Sequence, residues 1–359
     1  MEPLTTSSVA PAPPAAIAQA LARGVTYLEQ HQYPNGEFCS YFAPDDAIQG
    51  WCLPDSAVFP AALVAGCLLW LPLTPQVDGI LTRATTFFEH QMNHGGLWNH
   101  FTTLHRWRHT CPLDVDDTAC VSAILRARGV ACPRPSNVPL LLANRNKQGL
   151  FYSWFLLRLR WNRNRTYWRV TLPELLRPVQ SLLFWFNVEA SRNDVDGVVN
   201  ANALYYLGPG PETQPIVDFL LRIIAEKREA DCDLWYRDAH FVYYFFTRAY
   251  HSGVPALEPL RQPIIDRIRA RARPDGRLGD TLADTAWAAC SLLNLGSHPP
   301  ELAAAIAYLL RTQEAAGNWP RWLLYYGGPK KRMGWGSEEM TTGFCLEALA
   351  RYQASRPTT

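Results

Sequence analysis

The sequence predicts an all-α, single-domain (α/α)6 toroid, six inner helices ringed by six outer ones. Three observations carry this: an apolar helical pattern that recurs six times, an amphipathic pattern that alternates with it, and no strong strand signal. Helices that are apolar all round must be buried on every side, whereas amphipathic ones keep a wet face. Six of each in alternation fit an inner barrel with an outer ring, and the N-termini of the inner helices then converge at one end.

The apolar helices open on Asp, Ser or Thr, the residue types that cap helix N-termini. Asp55 leads into VFPAALVAGCLL, Asp117 into CVSAILRARG and Asp196 into VNANALYYLG. Asp238 leads into FVYYFFTRAY, Asp284 into WAACSLLNLG and Thr341 into FCLEALARY. The amphipathic helices fall near 15–32, 77–92, 136–146, 212–229, 256–272 and 299–313. Several end in a turn with Gly and then an aromatic or apolar residue, as in Gln32 to Phe38 and Gln313 to Trp319. The repeat runs through the Pro-rich stretch Cys132 to Pro139, so residues 15–355 read as one domain. Residues 1–14, rich in Pro, Ala, Ser and Thr, read as a disordered lead-in without the pattern of a secretion signal.

With 359 residues, 48% of them hydrophobic, the chain can fill a large core. A net charge of +2 gives no electrostatic case for nucleic acid. The thirteen Trp, fifteen Tyr and fifteen Phe fit a well-packed core or a cavity lined by π-faces. The nine cysteines are odd in number and form no CxxC pair, and Cys67, Cys120, Cys290 and Cys345 sit in apolar helices. They read as free thiols in a reducing, cytoplasmic setting. No run is long and apolar enough to cross a bilayer.

The chemistry-bearing motif is DVDDTA, Asp114 to Ala119, at the start of the second inner helix. One carboxylate suffices for a cap, a role open to Asp116 or Asp117, and three in four residues repel one another. In a low-dielectric site one of them retains its proton above the ordinary carboxylate range. A proton held there against an apolar aromatic pocket is a Brønsted acid towards an alkene or epoxide, and neighbouring carboxylates stabilise the cationic state.

DVDDTA ahead of an apolar helix resembles the DxDD motif of class II terpene cyclases, squalene–hopene cyclases in particular. Gln313 to Trp319, QEAAGNW, is similar in full to the QxxxGxW repeat of that superfamily, and Gln32 to Phe38 matches it with Phe for Trp. The segment from Arg273 through Trp287 resembles the family's turn followed by a TAWA inner helix. The likeness spans the chain from about residue 15 onward as a periodic pattern. It implies that Asp116 donates the proton and that Asp114 and Asp117 tune and orient it. The side chain that hydrogen-bonds the acid in the family falls on Asn202, with Asn200 close by; both also read as ordinary satisfied core residues.

The family stabilises carbocations on aromatic faces. Candidates here are Trp98, Trp107, Trp154, Tyr205, Trp235, Tyr236, Tyr243, Trp287, Trp322, Tyr325 and Trp335, each with core packing as its other reading. The resemblance implies an isoprenoid substrate and no required cofactor, with Mg²⁺ entering for a prenyl diphosphate. Lys330-Lys331-Arg332 offers either a grip for that group or a solvated charge run. There is one toroid where squalene–hopene cyclases have two, so the cavity needs closure by a second protomer in a homodimer, by an insertion or by a membrane. The Arg- and aromatic-rich insertion near 146–172 fits a lid, a peripheral membrane contact or a solvated face. Two alternatives stand beside the cyclase. One is a protein prenyltransferase β-like enzyme with zinc held by residues such as Asp231, Cys232, Asp233 and His240. The other is a non-catalytic lipid- or partner-binding toroid.

Overall fold

Helices apolar on every side obtain burial by packing on one another. The computed structural model describes residues 12–130, 134–158, 162–172, 184–186, 188, 190–327, 330 and 332–356. In these, the helices run α1 (Pro14–His31), α2 (Val58–Leu68), α3 (Pro75–Gln91), α4 (Val115–Ala127), α5 (Arg134–Ala143), α6 (Arg165–Thr171) and α7 (Gly197–Leu207). They continue as α8 (Gln214–Ala225), α9 (Ala239–His251), α10 (Arg261–Ala270), α11 (Leu282–Asn294), α12 (Pro300–Arg311) and α13 (Glu338–Ala354). The apolar helices contact one another in a cycle: α2 on α4, α4 on α7, α7 on α9, α9 on α11, α11 on α13 and α13 back on α2. Against this cycle lie α1 on α13, α3 on α2, α5 on α4, α8 on α7, α10 on α9 and α12 on α11. Among the described residues no helix is long and apolar enough to cross a membrane.

The Gln/Gly/Trp turns knit these layers. Gln313 Nε2 donates to the carbonyls of Gly317 (2.8 Å) and Ala20 (2.9 Å), tying the end of α12 to α1. Gln32 Nε2 does the same towards Gly36 and Ile80, both at 3.1 Å, tying α1 to α3. Trp319 Nε1 donates to Leu309 O (2.8 Å), and its backbone N–H donates to Thr342 Oγ1 (3.1 Å) on α13. Trp98 repeats both bonds, to Phe88 O (2.8 Å) and Thr118 Oγ1 (3.1 Å). The glutamines thus link neighbouring amphipathic helices, and the Trp98 and Trp319 turns link an amphipathic helix to an apolar one.

Gly317 stands at φ +101°, and a Cβ there would meet Arg23 O at 2.6 Å. Gly317→Ala is expected to cost about 1–3 kcal/mol, read as a fall in the thermal midpoint. Gly129→Ala, at φ +69° with open space around it, bears only the conformational cost and is expected to lower the midpoint less.

Two expectations change. Short strands are present: β1 (Ser40–Ala43), β2 (Leu53–Asp55), β3 (Trp98–Asn99), β4 (Leu113–Asp114), β5 (Trp154–Phe155), β6 (Leu323–Gly327) and β7 (Met333–Gly336). They form antiparallel sheets ordered β2-β1-β7-β6 and β3-β4-β5. Runs of two to five residues are too brief to show a period-two pattern. The lead-in is also partly packed: Ala12 is buried, its carbonyl accepts from Arg356 (2.7 Å), and α1 begins at Pro14. Residues 1–11 lie outside the described residues.

Candidate active site

The small sheet delivers the acid motif. Asp114 ends β4 between Trp98 and Trp154 and then caps α4, its Oδ1 accepting from the N–H groups of Asp116 (2.5 Å) and Asp117 (3.3 Å). The cap is therefore Asp114 rather than Asp116 or Asp117, because the chain leaves a strand immediately before the helix and places Asp114 in the extended conformation that a cap needs. This frees the side chains of Asp116 and Asp117 from capping. Thr118 Oγ1 donates to Asp114 O (2.5 Å) and closes the turn.

Asp116 is buried, 6% exposed, and both of its oxygens are held. Asn202 Nδ2 donates to Oδ1 and the Tyr236 hydroxyl donates to Oδ2. Asn202 lies on α7, and its own oxygen accepts from the Arg248 guanidinium on α9. Arg248 is buried over the faces of Tyr205 (4.4 Å) and Phe245 (5.0 Å). Tyr236 is aimed by the loop before α9, where Asp233 Oδ1 accepts from the N–H groups of Trp235 (2.9 Å) and Tyr236 (3.2 Å). Burial pushes the Asp116 carboxyl above the ordinary carboxylate range, and the bonds from Asn202 and Tyr236 and the Arg248 charge oppose that rise. Burial thus favours the protonated form, while these three partners stabilise the anion left after proton transfer.

Asp114 and Asp117 are raised further. For Asp114 the cause is burial and then the charge of Asp116; for Asp117 it is burial and then the charges of Asp114 and Asp116. Asp117 Oδ1 is buried with no hydrogen-bond partner among the described residues, and Oδ2 lies 3.9 Å from His100 Nδ1. Burial lowers His100 to about 4, so the ring is neutral at neutral pH. It therefore adds no positive charge to the hollow it lines.

That hollow measures about 780 Å³ and is bounded by the N-terminal ends of several inner helices. Asp114, Asp116 and Asp117 face it together with Trp107, Trp154, Trp235, Tyr236, Tyr325 and Trp335. Tyr325 and Trp335 stack at 5.4 Å across the β6–β7 hairpin, and Phe59 meets Tyr325 edge-on at 5.4 Å. From the insertion, Trp154 packs edge-on to Phe184 (5.2 Å), and both line the wall. Trp107 stands at the rim, 44% exposed.

Other residues named from sequence lie elsewhere. Asn200 bonds the backbone of Phe151 and Asp196 O, since its position on α7 faces the turn rather than the acid. Trp98 is a turn staple, Tyr205 carries the Arg248 guanidinium, and Tyr243 donates to Glu229 (3.0 Å). Trp287 stacks on Phe241 at 4.3 Å in the core, and Trp322 borders a second hollow. Asp231, Cys232, Asp233 and His240 do not converge: Asp233 is occupied by backbone N–H groups, Cys232 donates to Glu229 O, and Asp231 is exposed. Lys330 and Arg332 are exposed, and Lys331 lies outside the described residues, as do residues 159–161 of the insertion.

Sequence reading missed Arg248, Phe59, His100, Phe101 and Phe184. Arg248 carried a signal, a single cation inside an otherwise apolar helix that must find partners. The others carried none, since any apolar helix or turn holds such residues.

The chain has the fold of the type II terpene cyclases. It is similar to the type II terpene cyclase MstE from Scytonema, solved as a point variant in complex with geranylgeranyl dihydroxybenzoate, at TM-score 0.68 and 15% identity over 96% of this chain and 99% of that one. A protein from Actinoplanes is similar at TM-score 0.66 and 20% identity, over 93% and 99% of the two chains. The ent-copalyl diphosphate synthase from Streptomyces platensis is similar at TM-score 0.53 and 19% identity, over 82% of this chain and 50% of that one. No family model and no curated protein sequence matches.

Proposed function

We propose that the chain is a class II terpene cyclase, a six-plus-six helical toroid in which Asp116 protonates an isoprenoid alkene or epoxide and starts a carbocation cyclisation. One observation carries the reading: a buried carboxyl, held by Asn202 and Tyr236 through both oxygens, faces an apolar aromatic hollow. The Asp116 proton adds to an alkene carbon, whose π pair forms the new C–H bond, or to an epoxide oxygen as its C–O bond opens. The cation left on the neighbouring carbon is captured by the next alkene. Loss of a proton from the final cation completes a net isomerisation. Trp107, Trp154, Trp235, Tyr236, Tyr325 and Trp335 offer faces to the migrating charge. Asp114 orients the motif as its cap, and Asp117 lines the hollow beside the acid.

The substrate is an isoprenoid chain, and the complex of MstE with a prenylated dihydroxybenzoate supports one that ends in a head group. The hollow suits a ligand of moderate size. The chemistry needs no cofactor; Mg²⁺ enters only for a diphosphate head group. Trp154 in the wall favours the insertion as a lid. Leu53, Leu104 and Trp107, exposed around the rim, favour delivery of the substrate from a membrane surface in the cytoplasm. A homodimer that completes the wall is the further option.

The test is product analysis. Incubation with farnesyl and geranylgeranyl diphosphates, squalene, oxidosqualene and geranylgeranyl dihydroxybenzoate is expected to give a cyclic isomer of unchanged mass from at least one. Tight binding of all with conversion of none would mark a lipid-binding toroid instead.

The pH dependence has a fixed sign. The acid works protonated and its pKa is raised by burial, so kcat/KM is flat on the acid side and falls as pH rises through that raised value. Stability follows the same linkage: burying these carboxyls adds no ionisation cost below the ordinary carboxylate range and destabilises the fold progressively above it. Rate profiles and melting curves taken over one pH series check both. A rate that climbs across this window would contradict the assignment.

A further inference from the structure

We propose that a divalent transition-metal site, of the zinc class, is formed by Asp238, His240 and Asp284 at the N-terminal ends of α9 and α11, separate from the acid cluster. One ligand atom from each side chain lies within 4.8 Å of the other two. His240 Nδ1 stands 3.4 Å from Asp238 Oδ1. The cluster alone would be an ordinary pair of helix caps, because Asp238 accepts from His240 N (2.7 Å) and Asp284 completes a capping box with Thr281. The imidazole is what points further. His240 is 0% exposed, and neither ring nitrogen has a hydrogen-bond partner among the described residues. Buried imidazole nitrogens are normally satisfied, and a metal ion supplies the missing partner for one of them.

Charge agrees with this. Asp238 and Asp284 bring two carboxyl groups beside one imidazole, and a dication between them offsets the repulsion of two carboxylates. The donor set, one imidazole nitrogen and two carboxylate oxygens, suits Zn²⁺, Co²⁺ or Mn²⁺ better than Ca²⁺ or Mg²⁺, which take oxygen ligands alone. Three protein ligands leave a fourth tetrahedral position for water. The Asp238 side chain is 32% exposed while His240 is fully buried, so an ion enters from the Asp238 side. Asp284 is already aimed by Thr281 Oγ1 (2.6 Å) and Asp280 N (2.7 Å), the kind of outer support that fixes a ligand. Zinc draws its ligands to about 2.0–2.2 Å, so binding tightens the junction of two adjacent inner helices.

The test uses the whole chain, stripped with chelator and titrated with Zn²⁺ by calorimetry, with thermal melting in parallel. One equivalent is expected to bind and to raise the midpoint. His240→Gln and Asp284→Asn are each expected to weaken binding by roughly 100-fold, since even outer-shell partners contribute about 10–100-fold. The nine cysteines are rival donors, so Co²⁺ is loaded as well. A visible d–d spectrum without a sulfur-to-cobalt charge-transfer band is the predicted signature, and it is read on the unaltered protein, so it holds even if a variant misfolds. Failure of the unaltered chain to bind one equivalent, a thiolate charge-transfer band, or undiminished affinity in His240→Gln would each overturn the site.

Discussion

Asp116→Asn is expected to abolish conversion, by about 10⁴-fold or more, and to leave the fold intact. General-acid catalysis contributes about 10²–10⁴-fold where a reaction has other routes, and of the three acids Asp116 is the one whose two oxygens Asn202 and Tyr236 hold. The amide is the same shape as the acid. Its oxygen can accept from Asn202, and its NH₂ can donate to the Tyr236 oxygen, so both partners stay engaged. A buried neutral group replaces a buried ionisable one, so the melting midpoint holds or rises. Product assayed by mass spectrometry, with melting and substrate binding on the same sample, separates lost chemistry from lost structure. A folded variant that still converts substrate at a comparable rate would remove Asp116 from the mechanism.

The next largest effect is expected from the two side chains that hold the acid. Tyr236→Phe and Asn202→Ala each delete one donor to the Asp116 carboxylate. A hydrogen bond to a charged group contributes about 1.5–3 kcal/mol, so kcat is expected to fall about 10–100-fold. Asn202 lies behind the acid and outside the cavity wall, so Asn202→Ala is expected to lower kcat with little change in KM. The direction of the pH profile adds a readout that packing alone would not move. Both donors lower the Asp116 pKa, so losing either shifts the falling limb of the profile to higher pH. The double variant is expected to lose less than the product of the two single losses, because both act on one carboxylate.

The helical layers were legible because apolar and amphipathic periods alternate from α1 to α5 and again from α7 to α13. The acid motif was legible because three carboxylates at one helix start conflict with burial. Its internal division of labour was not. Naming Asp114 as the cap needs the strand that precedes it, and β4 is two residues long. Trp98 and Trp154 are alike in sequence, yet one staples a turn and the other faces the hollow. Their fates depend on which side of a short sheet they leave, and aromatic composition does not encode that. Asn202 was reachable by counting along its helix, whereas Tyr236 as a partner of the acid was not, since a loop orders it through Asp233. The wall itself comes from segments as distant as Phe59 and Trp335, and only the closing of the cycle of inner helices brings them together.

The central claim is that the new bond to the substrate is made to a proton that solvent supplies through a carboxyl. Cyclisation run in D₂O measures this directly, because the Asp116 proton exchanges between turnovers. The account predicts one deuterium in each product molecule, carbon-bound at the terminal alkene position or carried on the hydroxyl oxygen of an epoxide-derived product. For an alkene substrate, a cyclic product formed in D₂O with no deuterium at that carbon would contradict it.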